Sequence, residues 1–459
     1  MDRDYDVIIV GSGAAGLAAS VSAADEGARV LIIEADTKVG GSSRLSGGHF
    51  YAAGTSFQRE AGVDDSPDAM FEHYMTLNQW LVEPSVVRKY CDLSAPSFEW
   101  LQSLGVQFEP DGLYCSGVGS TPRGHVPVGA GESVVQILDA NRSRRGVDIV
   151  LDSRVDQLLI DDSGAVCGIR SGEDEATAGA VILATGGFGA NEEMLNKLYP
   201  QASANGDWSW YIGTEHAQGD GLKLGQSIGA AIDGHDRGLL LVTPGFSRDM
   251  EVLLPGWLIL VNEAGRRFCN ETAPYTVLAG LLNHQKGKIF AIFDEQARIE
   301  AKPSPASQAY WVNEVLEKKA NEGVIARADS LSALGEQVGV ESEALENTVR
   351  FYNEDSAGGT DTKFFKPIET GMRPIVSAPF YAAEIRPAII CWTGAGLRIN
   401  DDAQVIRNNE EPIPGLYAAG ETVGSLHGDR YIGGGGSYGP CIVFGKLAGA
   451  NAALSSKGN

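Results

Sequence analysis

Apolar positions run without a break from Tyr5 to Val10, a β-branched stretch too short for a helix, which predicts a buried strand. Gly11-Ser12-Gly13-Ala14-Ala15-Gly16 follows at once, and the alanine-rich stretch through Ala24 then reads as a helix. Residues 29–33 form a second apolar strand that ends in Glu34. Strand, glycine turn, helix and strand together make a complete βαβ unit with G-x-G-x-x-G spacing. In such a unit Gly11 permits the tight turn, Gly13 lets the backbone approach a pyrophosphate, and Gly16 lets helix pack closely on strand. The helix N-terminus faces the phosphate charge, and Glu34 is placed to accept hydrogen bonds from ribose hydroxyls. A dinucleotide is the ligand this pattern predicts.

Further along, residues 147–182 are strand-rich and broken by turn signals at 161–164 and 172–174. Amphipathic patterns at 67–80 and 343–352 predict helices that serve packing. Glycine recurs in three more clusters. They are Gly40-Gly41-Ser42-Ser43-Arg44-Leu45-Ser46-Gly47-Gly48, Ala184-Thr185-Gly186-Gly187-Phe188 after a strand at 180–183, and Gly415-Leu416-Tyr417-Ala418-Ala419-Gly420-Glu421. Close backbone approach at four distant points suits FAD, which is long, better than a nicotinamide cofactor. The 58 glycines in 459 residues, nearly twice the roughly 7% average, are concentrated where such a cofactor is cradled.

Composition narrows the remaining possibilities. Sixty acidic against 36 basic side chains give a formal charge of −24, which argues against nucleic acid or an anionic membrane as the main partner. No segment reaches about 18 consecutive apolar residues, so no membrane span is expected. The first residues lack a secretion-signal pattern, and a cytoplasmic location is the expectation. Six cysteines stand singly and seven histidines are dispersed without HxxxH or HExxH, so no metal is expected.

In combination, ATGGFGAN at 184–191, GDGLKLG at 219–225, GRRFCNE at 265–271 and IPGLYAAGE at 413–421 resemble the fumarate reductase and 3-ketosteroid dehydrogenase superfamily of flavoproteins over almost the whole chain. The resemblance implies an α/β fold: a Rossmann-like FAD-binding domain of the glutathione-reductase type, discontinuous at 1–235 and 388–459, with an inserted α+β substrate domain at 236–387. It further implies FAD contacts at Ala35, Val155, Asn191, Asp220, Gly436, Ser437 and Ile442, beside those in the glycine clusters. The FAD is expected to be non-covalent, because 40–48 lacks the histidine used for attachment in succinate dehydrogenases, although His49 sits just beyond.

At GRRFCNE the dicarboxylate reductases continue to a proton-donating arginine four residues past the glutamate. Here that position is Tyr275, in a run similar to the NESAPY-like motif of 3-ketosteroid dehydrogenases, whose tyrosine is the base. Paired histidines of the reductases before a TxGG turn are replaced by Cys391-Trp392. Their arginine four residues after a histidine-glycine start is replaced by Tyr431, with Arg430 one residue away. Tyr431-x-Gly433-x-Gly435 resembles the Y-x-G-x-G of Δ1-dehydrogenases, in which the tyrosine hydroxyl and the second glycine N–H bind the ketone oxygen.

Chemistry asks for the same parts. Desaturating a ketone needs a base for the α proton, donors for the enolate oxygen and a hydride acceptor. The candidates are Tyr275 as base and Tyr431 with Gly435 as donors. Tyr114 is a candidate support for the base and, with Trp392, a candidate wall of the substrate pocket. Trp208, Trp210 and Tyr211 suit cavity wall and core packing equally, and His216 and His427 read as surface or supporting residues. The expected function is FAD-dependent dehydrogenation of a cyclic ketone at the α and β carbons, a 3-oxosteroid of Δ1 type first. The alternatives are Δ4 regiochemistry, a monocyclic oxo acid such as 4-oxocyclohexanecarboxylate held by Arg430 or Arg386, a fumarate- or urocanate-like reductase, and a flavin subunit that only relays electrons. The expected partners are the cyclic ketone and an electron acceptor of unidentified nature.

Overall fold

The computed structural model describes residues 3–250, 252–303, 310–424 and 426–457. The chain divides into two compact units: Met1–Ser203, Gly213–Leu239 and Cys391–Asn459 form one, and Ala204–Ile212 with Leu240–Ile390 form the other.

In the first unit the strand Tyr5–Val10 lies at the centre of a sheet, because Val7, Ile8 and Ile9 have apolar side chains on both faces and are fully buried. It pairs in parallel with Val30–Ile33 on one side and Asp174–Leu183 on the other. Asp148–Val150 extends the sheet in parallel beyond Val30–Ile33. Pro412–Ala418 adds in parallel to Asp174–Leu183, and Gln404–Ile406 closes that edge antiparallel. The expected strand-rich region resolves into Asp148–Val150, Gln157–Ile160, Val166–Ser171 and Asp174–Leu183, the last three forming an antiparallel meander.

The helix Ala14–Asp25 packs against the C-terminal helix Tyr438–Lys457. A Cβ on Gly445 or Gly449 would fall 2.3 Å from the Ala15 oxygen or 2.2 Å from the Ala19 oxygen. The alanine-rich first helix and these two glycines one turn apart therefore let the backbones touch, joining the two ends of the chain around the glycine turn. The helix expected at 67–80 is Pro67–Leu77, since Gln79 and Trp80 adopt φ +53° and +60°. The pattern at 343–352 belongs to a longer helix, Ser342–Gly358, stopped by Gly359.

The second unit carries an antiparallel sheet of Ile259–Asn262, Ile289–Asp294, Phe380–Glu384 and Ala326–Ala328. Helices Leu331–Val338 and Ser342–Gly358 lie on it over a core that includes Ile259, Ile292, Leu345, Val349 and Tyr352. The expected boundary at 235/236 keeps 204–212 with the flavin domain, whereas the structure puts this segment in the second unit. Trp210 and Tyr211 pair in parallel with Ile389 and Ile390, and Trp208 packs beneath the Arg386 guanidinium at 4.3 Å. The aromatic cluster is thus packing within that unit.

Candidate active site

A cleft with about 810 Å³ of unfilled space opens at the C-terminal ends of the parallel strands, where α/β sheets bind nucleotides. Gly11, Ser12, Gly13, Ala14 and Ala15 form one wall, and Glu34, Ala35, Gly41, Ser42 and Ser43 form the next. Val155, Ala184, Thr185, Gly186, Asp220, Gly420 and Glu421 complete it. Gly11 has φ +104°, and a Cβ there would lie 2.3 Å from the Ala184 oxygen. Gly16 lies beneath the cleft, its Cβ position 1.9 Å from the Gly11 oxygen. Gly13 differs: its Cβ position meets only Ser43 Oγ at 3.6 Å, so the space it leaves open is cleft, not protein.

Glu34 is buried and organises the turn. Its Oε2 accepts from the Ser12 N–H at 2.7 Å and the Ser12 hydroxyl at 2.6 Å, and Oε1 accepts from the Asp36 N–H at 2.8 Å. A carboxylate oxygen accepts two hydrogen bonds, so Oε1 retains capacity for a ribose hydroxyl. Ser43 Oγ accepts the Ala14 N–H at 3.0 Å and ties the second glycine cluster to the helix start. At the far end Glu421 Oε1 accepts from the Thr393 N–H and hydroxyl at 2.9 and 2.8 Å. Burial pushes its carboxyl up to about 7 despite these donors.

Other expected cofactor residues lie outside the cleft lining. Ser46 donates its hydroxyl to the Ser43 oxygen and accepts the Gly48 N–H. Gly48 abuts Gly131, and Gly47 lies against the His49 ring. Asn191 is spent on local structure, its Oδ1 capping the helix Glu192–Leu198 through the Met194 N–H and its Nδ2 donating to the Gln218 oxygen. Ile442 is fully buried in the last helix, and Gly436 packs under Ile432 and Tyr431. Ser153, Arg154, Thr214, His216, Ala217 and Cys441 also line the cleft, and of these only His216 drew notice in the sequence. Arg154 is paired with Asp220 there. For Thr214 and Ala217 the signal was the run of small and polar residues leading into GDGLKLG at 219–225; Ser153, Arg154 and Cys441 had none.

Beside Glu421 a small cavity is lined by Trp392, Val423, Leu426, His427, Ser437, Pro440 and Phe444. His427 is buried, its Nδ1 faces the Tyr74 hydroxyl at 3.0 Å, and burial pushes its imidazole down to about 3, so it is neutral. Trp392 meets it edge-on at 4.3 Å, and Tyr431 lies 5.8 Å away. The Tyr431 hydroxyl accepts the Ser437 N–H at 2.9 Å and shares a hydrogen bond with Ser437 Oγ at 3.1 Å. Gly435 takes φ +93°, and a Cβ on it would strike the backbone of Phe50 at 2.7 Å. Tyr114 reaches the same glycine run: its hydroxyl would be 2.2 Å from a Cβ on Gly434.

In the second unit, Tyr275 opens the helix Tyr275–Asn283 directly after Pro274. The turn before it is anchored by a buried ion network. Arg267 binds Glu271 at 2.8 Å and Asp361 at 2.8 Å, and Lys366 binds Glu271 at 2.9 Å and the Leu258 oxygen at 2.7 Å. Burial works against the ionised Glu271, but the Lys366 and Arg267 charges outweigh it and hold the carboxyl below its ordinary range. Arg386 is paired with Glu384 at 2.6 Å. In the first unit Arg430 donates to the Asp429 oxygen at 2.9 Å.

The model of the FAD binding domain family matches residues 6–437, and the chain belongs to that family, within the fumarate reductase and succinate dehydrogenase flavoprotein superfamily. It is 34% identical over 470 residues to a fumarate reductase (cytochrome) of Shewanella frigidimarina, covering 99% of this chain and 78% of that protein. A urocanate reductase of Eggerthella lenta is 30% identical over 470 residues, covering 99% of this chain and 75% of that protein. Among solved structures, a 3-ketosteroid-Δ4-(5α)-dehydrogenase from Rhodococcus jostii RHA1 in complex with 4-androstene-3,17-dione superposes with a TM-score of 0.81 at 29% identity, covering 99% and 98% of the two chains. The protein is an FAD-dependent oxidoreductase of the family acting on CH–CH groups. Among the described residues no helix is long and apolar enough to cross a membrane.

Proposed function

We propose that this enzyme dehydrogenates a cyclic ketone at the carbons α and β to the carbonyl, a 3-oxosteroid of Δ1 type first. The observation that carries the reading is the lining beside Tyr431: Trp392, Val423, Leu426, a neutral His427, Pro440, Phe444 and the Glu421 carboxyl, with no cationic side chain among them. The arginines a carboxylate substrate would call on are engaged, Arg386 by Glu384 and Arg430 by a backbone oxygen. A ketone asks for hydrogen-bond donors instead of counter-charges.

The cradle from Gly11 to Ala15, with Glu34, Ser43 and Glu421, holds FAD, and the open space at Gly13 fits the approach of a phosphate. FAD, when bound, accepts the hydride lost from the β carbon. Tyr275 serves as the base for the α proton, and Tyr431 and Gly435 polarise the carbonyl. A phenol ionises near pH 10 in water, and the start of a helix favours the phenolate, typically by about 0.3–1 kcal/mol. A donor to a developing oxyanion is worth roughly 3–4 kcal/mol.

The identity with fumarate and urocanate reductases supports a second reading in which the same cradle runs the reverse reaction. Anaerobic mixing separates the two. The ketone reading expects 3-oxosteroids or smaller cyclic ketones to bleach the oxidised flavin. Oxidised flavin unchanged by ketones, together with reduced flavin reoxidised by fumarate or urocanate, overturns it.

A further inference from the structure

His49 follows the second glycine cluster directly, and Tyr114 ends the strand Phe108–Tyr114, 65 residues later. The structure brings their side chains together: Tyr114 Oη lies 2.5 Å from His49 Nδ1, the rings edge-on with centroids 5.4 Å apart. The meeting takes place over the glycine run that follows Tyr431. A Cβ on Gly434 would overlap the Tyr114 hydroxyl at 2.2 Å, and one on Gly435 would strike the backbone of residues 49–51. The Gly434 N–H donates to Ser116 Oγ, two residues beyond Tyr114. Each of these glycines is thus the condition for the pair to sit where it does.

A separation this short leaves one proton between oxygen and nitrogen. Burial holds the His49 imidazole below its ordinary range, so it is neutral near pH 7, and in the tautomer that carries its proton on Nε2 the Nδ1 facing the phenol is an acceptor. The phenol is backed by a base, as a serine hydroxyl is when it is paired with histidine.

We propose that Tyr114 and His49 form a proton-relay pair that takes up the proton released in the dehydrogenation. As the α C–H bond breaks, its electron pair stays on the enolate and its proton goes to Tyr275, the base, which is cleared when it passes that proton on to Tyr114 Oη. Tyr114's own O–H bond breaks as an N–H bond forms at His49 Nδ1. The imidazolium then loses its Nε2 proton to water, which leaves the Nδ1–H tautomer, and exchange with water that reprotonates Nε2 as Nδ1 gives up its proton restores the starting pair. The inference rests on the ketone reading for the origin of the proton. The pair itself is independent of it.

The test uses the FAD-loaded enzyme. In wild type, nitrogen-15 labelling of histidine should show Nδ1 of His49 as acceptor and Nε2 protonated, with a low-field bridging proton that Tyr114→Phe abolishes. His49→Asn keeps an acceptor near the Nδ1 position but has no proton affinity. It should slow ketone-driven flavin reduction at least about 10-fold while leaving flavin content unchanged, and imidazole should rescue His49→Ala. The double variant with Tyr114→Phe should be no slower than the worse single variant, as members of one unit behave. Full activity in His49→Asn, additive losses in the double variant, or protonated Nδ1 in wild type each overturn the relay. If wild type reacts with no ketone, the ketone reading fails, and the same variants measured on fumarate- or urocanate-driven reoxidation decide the relay: unchanged rates there overturn it.

Discussion

The Ser437 backbone N–H reaches the Tyr431 hydroxyl at 2.9 Å, so one lone pair of that oxygen is occupied and its orientation is fixed by a turn six residues long. The hydroxyl also shares a hydrogen bond with Ser437 Oγ at 3.1 Å, and its O–H is the donor the ketone reading assigns to the carbonyl. Tyr431→Phe removes it and leaves the Ser437 N–H unpaired, at a cost of about 1 kcal/mol in stability. Flavin reduction by a ketone should fall about 100-fold, the usual loss for one oxyanion donor, with flavin content preserved. Stopped-flow bleaching measures this, and an unchanged rate removes Tyr431 from the chemistry.

Gly13 and Gly16 belong to one motif but should fail differently. Gly13 has φ −62°, and its added Cβ would meet protein only at 3.6 Å. Gly13→Ala should therefore fold as well as wild type or gain about 0.4–1 kcal/mol, yet bind FAD at least about 10-fold more weakly because the methyl occupies the pyrophosphate's approach. Gly16→Ala places a methyl 1.9 Å from the Gly11 oxygen and should destabilise the flavin-free protein itself. Flavin titration together with urea denaturation separates the outcomes, and equal behaviour in both assays contradicts this division of labour.

What the sequence made legible follows the range of the interaction. The βαβ unit and its glycines were readable because strand, turn and helix are set by residues within about one turn of each other. The cleft brings together residues from 10 to 441, and most of its expected walls came from motifs that name themselves locally. The placement of 204–212 was not readable, since it depends on Trp210 pairing with Ile389. The local task of the Asn191 side chain, capping a helix and holding Gln218, was not readable either. His49 and Tyr114 each drew notice separately, but nothing in either segment announces a partner 65 residues away.

Glu421 gives a pH signature. Its folded pKa is raised to about 7 from 4.5, chiefly by burial. Below pH 4.5 both states hold the proton. Between about 4.5 and 7 the unfolded chain releases it while the folded protein retains it, so stability falls as pH rises and then levels off. In FAD-free protein, Glu421→Gln should match wild type at acid pH and exceed it above 7. Denaturant midpoints across that range check the sign, and curves that stay parallel contradict it.

The network before Tyr275 couples stability to position. Arg267, Glu271, Asp361 and Lys366 are buried and balance in charge, and the segment they hold runs straight into the helix that Tyr275 opens. Replacing one ion strands its partner, which typically costs about 3–5 kcal/mol. Lys366→Met should therefore lower the denaturation midpoint sharply, and adding Glu271→Gln should restore part of the loss by removing the unpaired charge. Glu271 and Asp361 both titrate below their ordinary values of 4.5 and 3.8, because their cationic partners outweigh burial. Their stabilisation is complete above those values and is lost as pH falls through the lower folded ones. FAD affinity should stay near wild type in Lys366→Met, since the cradle draws on none of these residues. Ketone-driven flavin reduction should slow as the helix start loosens. A variant that loses FAD but reacts at the normal rate when saturated with it would sink this assignment.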